Sequence, residues 1–521
     1  MKKQNTVYNY RTNSRNVQLK FDESFAEKRI PENDLVRLLD EIAEEVESPL
    51  ERALKRKGRK HGTNPYTLLR IILYAAAENI SSSREIVERC NRDINYIWLL
   101  NGEDAPSYRA ICRFRTGVLS ECSEEIFYAL AHKLQGRGEI NFEHLFVDGT
   151  KIEANAGKYS FIWKKSTNKF EIRVKVKLEK RIGELSAVYG ITETDEFEFY
   201  NKLRAMHPES FVHGRGKRKK QLQRDIEELD ALMTRKIKYE GYQDTFDGRN
   251  SFSKTDPDAT FMHMKEDHMR NAQLKPGYNI QFAVEGEYIT GVDVSSERSD
   301  QLTLIPLLNR MEENGVVYQD VTCDAGYESE ENYTFFENKD TECYIKPLNY
   351  ERSKTKKFKS NMALRENMEY DEVKDEYTCQ NGKKIRPVYE GKRKSKSNFV
   401  STVTYYECES CEGCPHKKNC TRAKGNRKMQ VSKKFVEQRK ASLERITSPM
   451  GVLLRMNRSI QAEGAFGVVK YDYGFDRFVH RGKKKIFNEI LIVAIGYNVR
   501  KYHNKLQQNR TGSQLHEKVI A

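Results

Sequence analysis

Apolar residues recur at helical spacing through the first quarter of the chain. The clearest sets, three or four positions apart, are Leu35, Leu38, Leu39 and Ile42, and then Leu68, Leu69, Ile72 and Ala76. This period gives each segment one apolar face. Ser82 and Glu85 form a capping box that opens a further short helix, and Pro106-Ser107 opens another. The pattern predicts a helical domain over residues 21–140, after a flexible polar lead-in over residues 1–20.

The pattern then changes to short apolar runs. Residues 145–147 run into Asp148 and predict a buried strand that ends in a carboxylate. Residues 155–255 are charged and mostly helical in period, which predicts a helical insert. The runs 277–284 and 288–294 are joined by Glu-Gly-Glu and predict an antiparallel hairpin.

Strands and helices alternate after the hairpin. A helix is expected over residues 301–313, and a strand over residues 318–322 leads into Asp324. Polar, lysine-rich sequence interrupts this order before helical periodicity resumes. The order predicts an α/β core over residues 141–348 and 451–506, a cysteine-containing insertion domain over residues 349–450, and a tail over residues 507–521.

Composition excludes two classes of protein. The 521 residues are 38% hydrophobic, enough for a real core, so wholesale disorder is excluded. No apolar run approaches the roughly 18 residues of a membrane span, the best being residues 490–495. The polar N-terminus shows no signal segment. We therefore expect a soluble cytoplasmic protein with no membrane partner.

The charge points to a polyanionic partner. The chain carries 91 Lys and Arg against 76 Asp and Glu, a net charge of +15. The excess gathers at residues 55–60, 215–220, 352–359, 392–396 and 481–485. A single cluster is usually solvated surface or linker, but five favour nucleic acid. A membrane surface is disfavoured because no cluster lies on a long amphipathic helix with an aromatic face.

The predicted helix after Pro106 is rich in arginine. It carries Arg109, Arg113 and Arg115 beside apolar Ile111 and Phe114. With the short helix before it, this segment could form a helix-turn-helix-like DNA reader. A helical bundle with a basic outer face is the alternative.

Cysteine spacing leaves two alternatives open. Cys408, Cys411, Cys414 and Cys420 are separated by two, two and five residues. Two-residue spacing lets thiolates turn towards one tetrahedral Zn²⁺, which favours a structural zinc site. Three bunched cysteines are unlike the two distant pairs of a zinc ribbon, so free thiols in a compact loop are the other interpretation.

Three acidic residues are candidates for catalysis. Asp148 and Asp324 each follow a predicted strand and precede a glycine within two residues, so a ligand could approach the backbone closely. Glu463 lies on a predicted helix with Lys470 two turns further on. Converging carboxylates are costly unless cations neutralise them, and Mg²⁺ takes oxygen ligands. Individually, each Asp-Gly is more typical of a turn and the Glu of a solvated helix.

Together the motifs resemble a known family. The segments Phe146–Asn155, Asp324–Ser329 and Arg458–Gly467 look like the catalytic blocks of bacterial insertion-sequence transposases of the DDE type. The likeness extends over nearly the whole chain. It includes the arginine-rich N-terminal helix, the segment Lys254–Phe261 and the cysteine cluster, which are typical of one branch of the group.

The resemblance implies a fold and roles for particular residues. It implies a ribonuclease-H-like, retroviral-integrase-like core with Asp148 on the first strand, Asp324 after the fourth and Glu463 on a late helix. Lys470 matches the family lysine expected to touch DNA phosphate. Arg458 lies one residue further from the glutamate than in relatives, and Met456 stands where they often carry tyrosine, so the phosphate role of Arg458 is the less secure expectation.

The implied function is DNA transposition. The three acids would hold two Mg²⁺ (or Mn²⁺) ions, cleave DNA at terminal inverted repeats and join the 3′-hydroxyl to target DNA. Double-stranded DNA is the expected partner of a homodimer or higher multimer at the nucleoid. A catalytically inactive transposase descendant and a nuclease of the same fold without joining activity are the alternatives.

Overall fold

The computed structural model describes residues 21–57, 63–207, 210–214, 218–264 and 273–517. The predicted lead-in and parts of the basic clusters at 55–60 and 215–220 lie outside this description. The chain forms two compact units. The first comprises the chain up to Ile152 and from Tyr278 onward, and the second comprises Glu153–Gly277.

The α-helices of the described residues, in chain order, are α1 (Phe21–Arg29), α2 (Leu35–Glu45), α3 (Ser48–Lys57), α4 (Pro65–Ala77), α5 (Ser83–Arg92), α6 (Ile94–Leu100), α7 (Tyr108–Thr116), α8 (Leu119–Gly136), α9 (Lys164–Tyr189), α10 (Glu196–Ala205), α11 (Gln221–Phe246), α12 (Leu304–Glu313), α13 (Glu330–Glu337), α14 (Tyr350–Ser353), α15 (Lys356–Lys359), α16 (Lys417–Cys420), α17 (Lys433–Thr447), α18 (Pro449–Gly467) and α19 (Lys483–Gln507).

The strands are β1 (His144–Glu153), β2 (Phe161–Trp163), β3 (Ser251–Ser253), β4 (Thr260–His263), β5 (Leu274–Glu285), β6 (Tyr288–Ser295), β7 (Asp320–Cys323), β8 (Glu342–Ile345), β9 (Glu369–Asp371), β10 (Glu376–Thr378), β11 (Lys384–Lys394), β12 (Val400–Cys408) and β13 (Lys428–Val431). The mixed content confirms the predicted α/β class with a helical N-terminal region.

The predicted N-terminal helices are present with their caps. The Ser82 side chain accepts a hydrogen bond from the Glu85 backbone N–H at 3.4 Å, and Ser107 accepts one from Ala110 at 3.2 Å. Each cap satisfies a backbone donor that the first turn of a helix leaves without an intrahelical partner. Helix α6 lies between the two helices that the sequence suggested as a helix-turn-helix pair, and the sequence did not predict it.

The central sheet of the first unit has the strand order β6-β5-β1-β7-β8. Strands β5 and β6 pair antiparallel, which confirms the predicted hairpin. Strands β1 and β7 pair in parallel from His144 with Asp320 to Val147 with Cys323, and β8 pairs in parallel with β7. Two of the three candidate catalytic acids lie at these parallel strands: Asp148 is on β1, and Asp324 directly follows β7.

One strand boundary differs from the expectation. Strand β1 continues to Glu153, so Asp148 lies within the strand and does not end it. What ends at Val147 is its pairing with β7 and its continuous burial, because the following four residues are half-buried. The apolar run in the sequence ends where this burial ends, which is why the pattern predicted the end of the strand at Asp148.

Helix α19 joins the N-terminal helices to the sheet. It packs against α2, α4, α8 and β6. A β-carbon on Gly496 would lie 2.5 Å from the Ala76 carbonyl carbon, so α19 and α4 approach backbone to backbone. Near its end the Lys505 ammonium pairs with Glu139 at 3.5 Å, both side chains being 1% exposed. The N-terminal helices therefore share one core with the sheet.

The insertion between β8 and α18 has its own sheet. Five antiparallel strands run in the order β13-β12-β11-β10-β9 around a small core that includes Tyr377, Ile385 and Tyr406. Helix α17 fixes this region to the loop after β7, since Arg439 pairs with the buried Glu328 through two hydrogen bonds of 2.7 and 2.9 Å. A bidentate pair of this kind is strong and directional.

The second unit contains the predicted helical insert. Helices α9, α10 and α11 pack around a buried cluster that includes Leu178, Phe199 and Leu229. Strands β2 and β3 pair antiparallel at the base of α9 and α11. Strand β4 pairs with residues 274–277 of β5.

Within the part of the chain that the structure describes, none of the helices has the length and apolarity needed to cross a membrane.

Two titratable side chains, His144 and Asp320, form a hydrogen bond between the first residues of β1 and β7. His144 Nδ1 lies 2.6 Å from Asp320 Oδ2, and this hydrogen bond raises the pKa of the imidazole above its usual value. A raised folded pKa means that the pair stabilises the fold fully below the unfolded pKa of about 6.5 and less as pH rises through the folded value. Burial raises the pKa of Asp320, so the test stays above the range in which that carboxyl is protonated.

We predict that His144→Gln destabilises the protein most near pH 6. The expected loss is about 1–2 kcal/mol, the contribution of a hydrogen bond to a charged group, and it should shrink towards pH 9. Thermal melts of wild type and variant over this range measure it. A difference in melting temperature that stays constant with pH would show that the imidazolium has no part in it.

Candidate active site

Two candidate acids stand next to each other because of the strand register. Asp148 follows Val147, and Asp324 follows Cys323, which is the register partner of Val147 in the parallel pair. Neighbouring strands are about 4.8 Å apart, so the residues after the last pair begin side by side. The structure therefore brings Asp148 and Asp324 together.

Backbone N–H groups orient both carboxylates. Asp148 Oδ1 accepts a hydrogen bond from Gly149 N at 2.9 Å. Asp324 caps a 3₁₀ turn, Ala325–Tyr327, and its Oδ1 accepts from Gly326 N at 2.7 Å. Such bonds restrict the rotamers of both acids.

Arg458 connects the third acid to the first. From α18 its Nη2 donates to Glu463 Oε1 at 3.0 Å, and its Nη1 lies 3.4 Å from Asp148 Oδ1. The Arg458 side chain is 12% exposed, whereas that of Glu463 is 56% exposed. The five-residue spacing from Arg458 to Glu463 thus places the guanidinium between two candidate catalytic acids.

Buried contacts fix helix α18 in this position. The Phe466 ring stacks on Phe282 of β5 with centroids 4.3 Å apart and an interplanar angle of 7°. Gln461 Oε1 accepts a hydrogen bond from Glu287 N at 2.9 Å, and Gln461 is 2% exposed. One face of α18 is therefore held on the sheet while the opposite face presents Glu463.

A fourth carboxylate, Asp300, reaches the same place, and the sequence did not single it out. A β-carbon on Gly149 would stand 2.9 Å from Asp300 Oδ1, and one on Gly326 would stand 3.1 Å from Asp300 Oδ2 and 2.9 Å from Asp324 Oδ1. Asp300 thus fills the space that both glycines leave open, beside Asp324. The two glycines are needed here for close approach.

Neutral amides of β5 hold Asp300. Asn279 Nδ2 donates to Asp300 Oδ1 at 2.6 Å, and Gln281 Nε2 lies 3.4 Å from the same oxygen. The Tyr327 hydroxyl in turn donates to Gln281 Oε1. Burial raises the pKa of Tyr327 well above its usual value, and the negative charges of Asp300 and Asp148 add to the effect.

A signal for this network is present in the sequence. Asn279 and Gln281 are polar residues two positions apart in the segment 278–284 of β5, whose other residues are apolar and buried, and both are at most 1% exposed. Buried amides are costly unless they are hydrogen-bonded. Their spacing could have indicated a partner on that face, although it could not have identified Asp300.

Lys470 lies beyond Glu463 on a different kind of turn. Helix α18 ends at Gly467, and Val468–Asp472 forms a π-helical turn that carries Lys470. Because a π turn is wider than an α turn, Lys470 is not two regular turns along the face of Glu463. A polar cavity of about 380 Å³ adjoins this turn, bounded by Asn79, Asp472 and Arg500 among others.

The three N-terminal arginines have different environments. Arg109 and Arg113 are exposed on α7, and the Arg109 guanidinium lies 5.8 Å from the centroid of the Tyr108 ring. Arg115 is 8% exposed, and its Nη1 donates to the Ser81 carbonyl at 2.7 Å. Burial lowers the pKa of Arg115. The guanidinium of Arg115 is used inside the helical core, and its contact with DNA stays a prediction.

The basic cluster at residues 392–396 lies at the tip of a long hairpin. Strands β11 and β12 pair from Ile385 to Lys394, and Lys392, Arg393 and Lys394 are exposed. Within the described residues none of these three forms an ion pair. The tip contacts the loop after β6 through Lys396, which pairs with Glu297 at 2.5 Å.

The four cysteines do not converge. Cys408 and Cys411 are buried in the apolar core of the insertion sheet, whereas Cys420 Sγ accepts a hydrogen bond from Arg427 Nη1 at 2.9 Å. Among the described residues no group of three or more histidine, cysteine or acidic side chains is placed so that it could hold a metal ion, and this applies to the candidate acids beside Arg458 as well as to the cysteines. The predicted zinc site at Cys408, Cys411, Cys414 and Cys420 is therefore not supported. The alternative of thiols in a compact insertion agrees with these contacts.

Two segments of the chain match models of transposase families. Residues 24–117 match the transposase domain DUF772, and residues 378–503 match the transposase DDE domain. Together they confirm the resemblance to insertion-sequence transposases of the DDE type. The second match includes Glu463, while Asp148 and Asp324 lie outside both. Neither the curated proteins nor the solved structures include a significant match.

We predict that Arg115 and Arg113 differ in their effect on stability. Arg115→Ala should lower the free energy of unfolding by about 1–3 kcal/mol, because it removes a buried side chain and its charged hydrogen bond to the Ser81 carbonyl. Arg113→Ala, at an exposed position on the same helix, should stay within about 0.5 kcal/mol of wild type. Thermal or denaturant unfolding of the two variants compares them directly. Equal destabilisation would refute the structural role of Arg115.

Proposed function

We propose that this protein is a DNA transposase that binds the terminal inverted repeats of its own element and catalyses strand cleavage and strand transfer. The observation that carries the proposal is the meeting of Asp148 and Asp324 at the end of a parallel register, with Arg458 linking Asp148 to Glu463. Both matched transposase domains support it.

We propose further that the central sheet is a ribonuclease-H-like core. The sheet has six strands, and when the short strand β4 of the second unit is left out, β1 is the first along the chain and β7 the fourth. Asp148 is on the first, Asp324 directly follows the fourth, and Glu463 is on a late helix. This is the placement that the family resemblance implies.

The acids suit divalent cations by their chemistry. Carboxylate oxygens are the ligands that Mg²⁺ takes, and Arg458 is a positive group standing among them. Arg458 Nη1 is buried and makes no hydrogen bond, so its link to Asp148 is an ion pair alone. Asp148, Asp324 and Glu463 would hold Mg²⁺ or Mn²⁺, with Arg458 moving to DNA phosphate. Bound there, two such ions would supply activation of an attacking oxygen and charge stabilisation of the leaving oxygen.

The reaction needs no covalent protein intermediate. A water oxygen attacks phosphorus at the transposon end, the bond from phosphorus to the 3′ oxygen breaks, and a 3′-hydroxyl is released. That hydroxyl then attacks a phosphodiester of target DNA and displaces another 3′ oxygen. Arg458 and Lys470 would bind the non-bridging phosphate oxygens and orient the scissile bond.

The exposed basic residues are proposed to bind DNA outside the catalytic centre. Arg109 and Arg113 on α7 would contribute to recognition of the inverted repeats. The clusters at 351–359 and 392–396 would contact phosphates, which give affinity without sequence information. Two transposon ends must be brought together, so we propose a homodimer or higher multimer on DNA, at the nucleoid.

We predict that Asp148→Asn, Asp324→Asn and Glu463→Gln each reduce Mg²⁺-dependent strand cleavage about 100-fold or more while end binding persists. Each change removes a proposed metal ligand and keeps the side-chain shape. Cleavage and band-shift assays on DNA with the element's ends measure the two properties. Glu313→Gln, an exposed acid on α12, is the matched control.

The same assays separate the alternatives. Wild-type protein that binds ends without cutting them would be an inactive descendant. Wild-type protein that cuts but cannot join a pre-cut end with a free 3′-hydroxyl to target DNA would be a nuclease. Normal transposition by any of the three variants would end the proposal.

We predict that replacing Lys392, Arg393 and Lys394 together by alanine weakens DNA binding without regard to sequence. Each lost phosphate contact should reduce the slope of log affinity against log salt by about 1. Filter binding from about 50 to 200 mM salt measures it. A control with Lys169, Lys177 and Lys180 of α9 changed to alanine removes the same charge. An equal effect of both triple variants would mean that the hairpin has no specific role.

A further inference from the structure

Asp300 and Asp324 are neighbouring carboxylates without a cationic partner. An oxygen of each lies within 3.1 Å of the position that a β-carbon on Gly326 would occupy. Among the described residues neither acid forms an ion pair with lysine, arginine or histidine. In the described part of the chain, Arg458 forms ion pairs with Asp148 and Glu463 and none with Asp300 or Asp324. Two adjacent unpaired carboxylates repel each other unless a cation is bound.

The surroundings fix Asp300 and supply no charge. Its Oδ1 accepts from the amides of Asn279 and Gln281, which are neutral and buried. Its other oxygen, Oδ2, faces Gly326 beside Asp324. A structural acceptor for two amides could be an amide or a hydroxyl as well as an acid. The two amide hydrogen bonds to Oδ1 therefore do not explain why residue 300 is an acid. The position of Oδ2, beside Gly326 and Asp324, explains it better.

We propose that Asp300 is a fourth carboxylate of the catalytic centre and binds the same divalent cations as Asp148, Asp324 and Glu463. This inference rests on the proposed function, since it concerns the cations of that same site. This position of Asp300 requires glycine at residues 149 and 326, because a side chain at either residue would displace the carboxylate. Asn279, Gln281 and Tyr327 then act as positioning residues that aim the carboxylate.

A binding measurement with Mn²⁺ alone tests the proposal without relying on catalysis. Full-length protein without DNA is titrated with Mn²⁺, and the free ion is followed by its electron paramagnetic resonance signal. Asp300→Asn should weaken Mn²⁺ binding about tenfold or more, and Asp148→Asn and Asp324→Asn should do the same. Glu313→Gln, which removes one exposed acid at the end of α12, should bind Mn²⁺ like wild type.

The pattern of results separates this inference from the proposed function. Loss of affinity in Asp148→Asn and Asp324→Asn but not in Asp300→Asn would overturn the role of Asp300 and leave the transposase proposal standing. Unchanged affinity in all three would overturn the metal site itself. Equal loss in Glu313→Gln would show that Mn²⁺ responds only to overall charge, which also overturns the role of Asp300.

Gly149→Ala decides the question if Asp300→Asn does not fold. The added β-carbon would lie 2.9 Å from Asp300 Oδ1 and 2.6 Å from Gln281 Nε2, so Asp300 must move although its charge is retained. Circular dichroism establishes which variants are folded. We expect weaker Mn²⁺ binding by folded Gly149→Ala, and wild-type affinity in this variant would refute the proposal.

Discussion

The parallel pairing of β1 with β7 is the constraint on which the candidate site depends. Four register pairs, ending at Val147 with Cys323, align two segments that are separated by about 170 residues of chain. Because hydrogen bonds of the ladder fix this register, Asp148 and Asp324 cannot move apart unless the sheet is broken. The long helical insert and the hairpin between them change the path of the chain without changing this alignment.

The second constraint is electrostatic, and the guanidinium of Arg458 satisfies it. Carboxylates that converge in a partly buried place need positive charge nearby, and Arg458 supplies it to Asp148 and Glu463. The same side chain is suited to phosphate, since its planar fork of donors matches two oxygens. A residue of this kind can stabilise the site in the absence of DNA and still be available when DNA arrives.

Much of the fold could be predicted from the sequence because the signals were local. Capping residues such as Ser82, the turn between β5 and β6, and the apolar run before Asp148 each depend on neighbours in the chain. What could not be predicted depended on distant partners. Arg115 differs from Arg113 only in what packs around it. Asp300 reaches the candidate acids only because two glycines, Gly149 on β1 and Gly326 in the turn after β7, leave it space. The short helix α6 was missed because its apolar residues form no clear stripe.

Helix α19 has a consequence for how such proteins can diversify. It is buried between the N-terminal helices and the sheet, with Gly496 against the backbone of α4 and Lys505 paired to Glu139 in the interior. A recombinant that exchanged only the first 140 residues between two such proteins would pack the N-terminal helices of one protein against α19 of the other. The side chains at this contact would then not fit each other. New recognition specificity is therefore easier to acquire by changing exposed side chains in place than by shuffling whole modules.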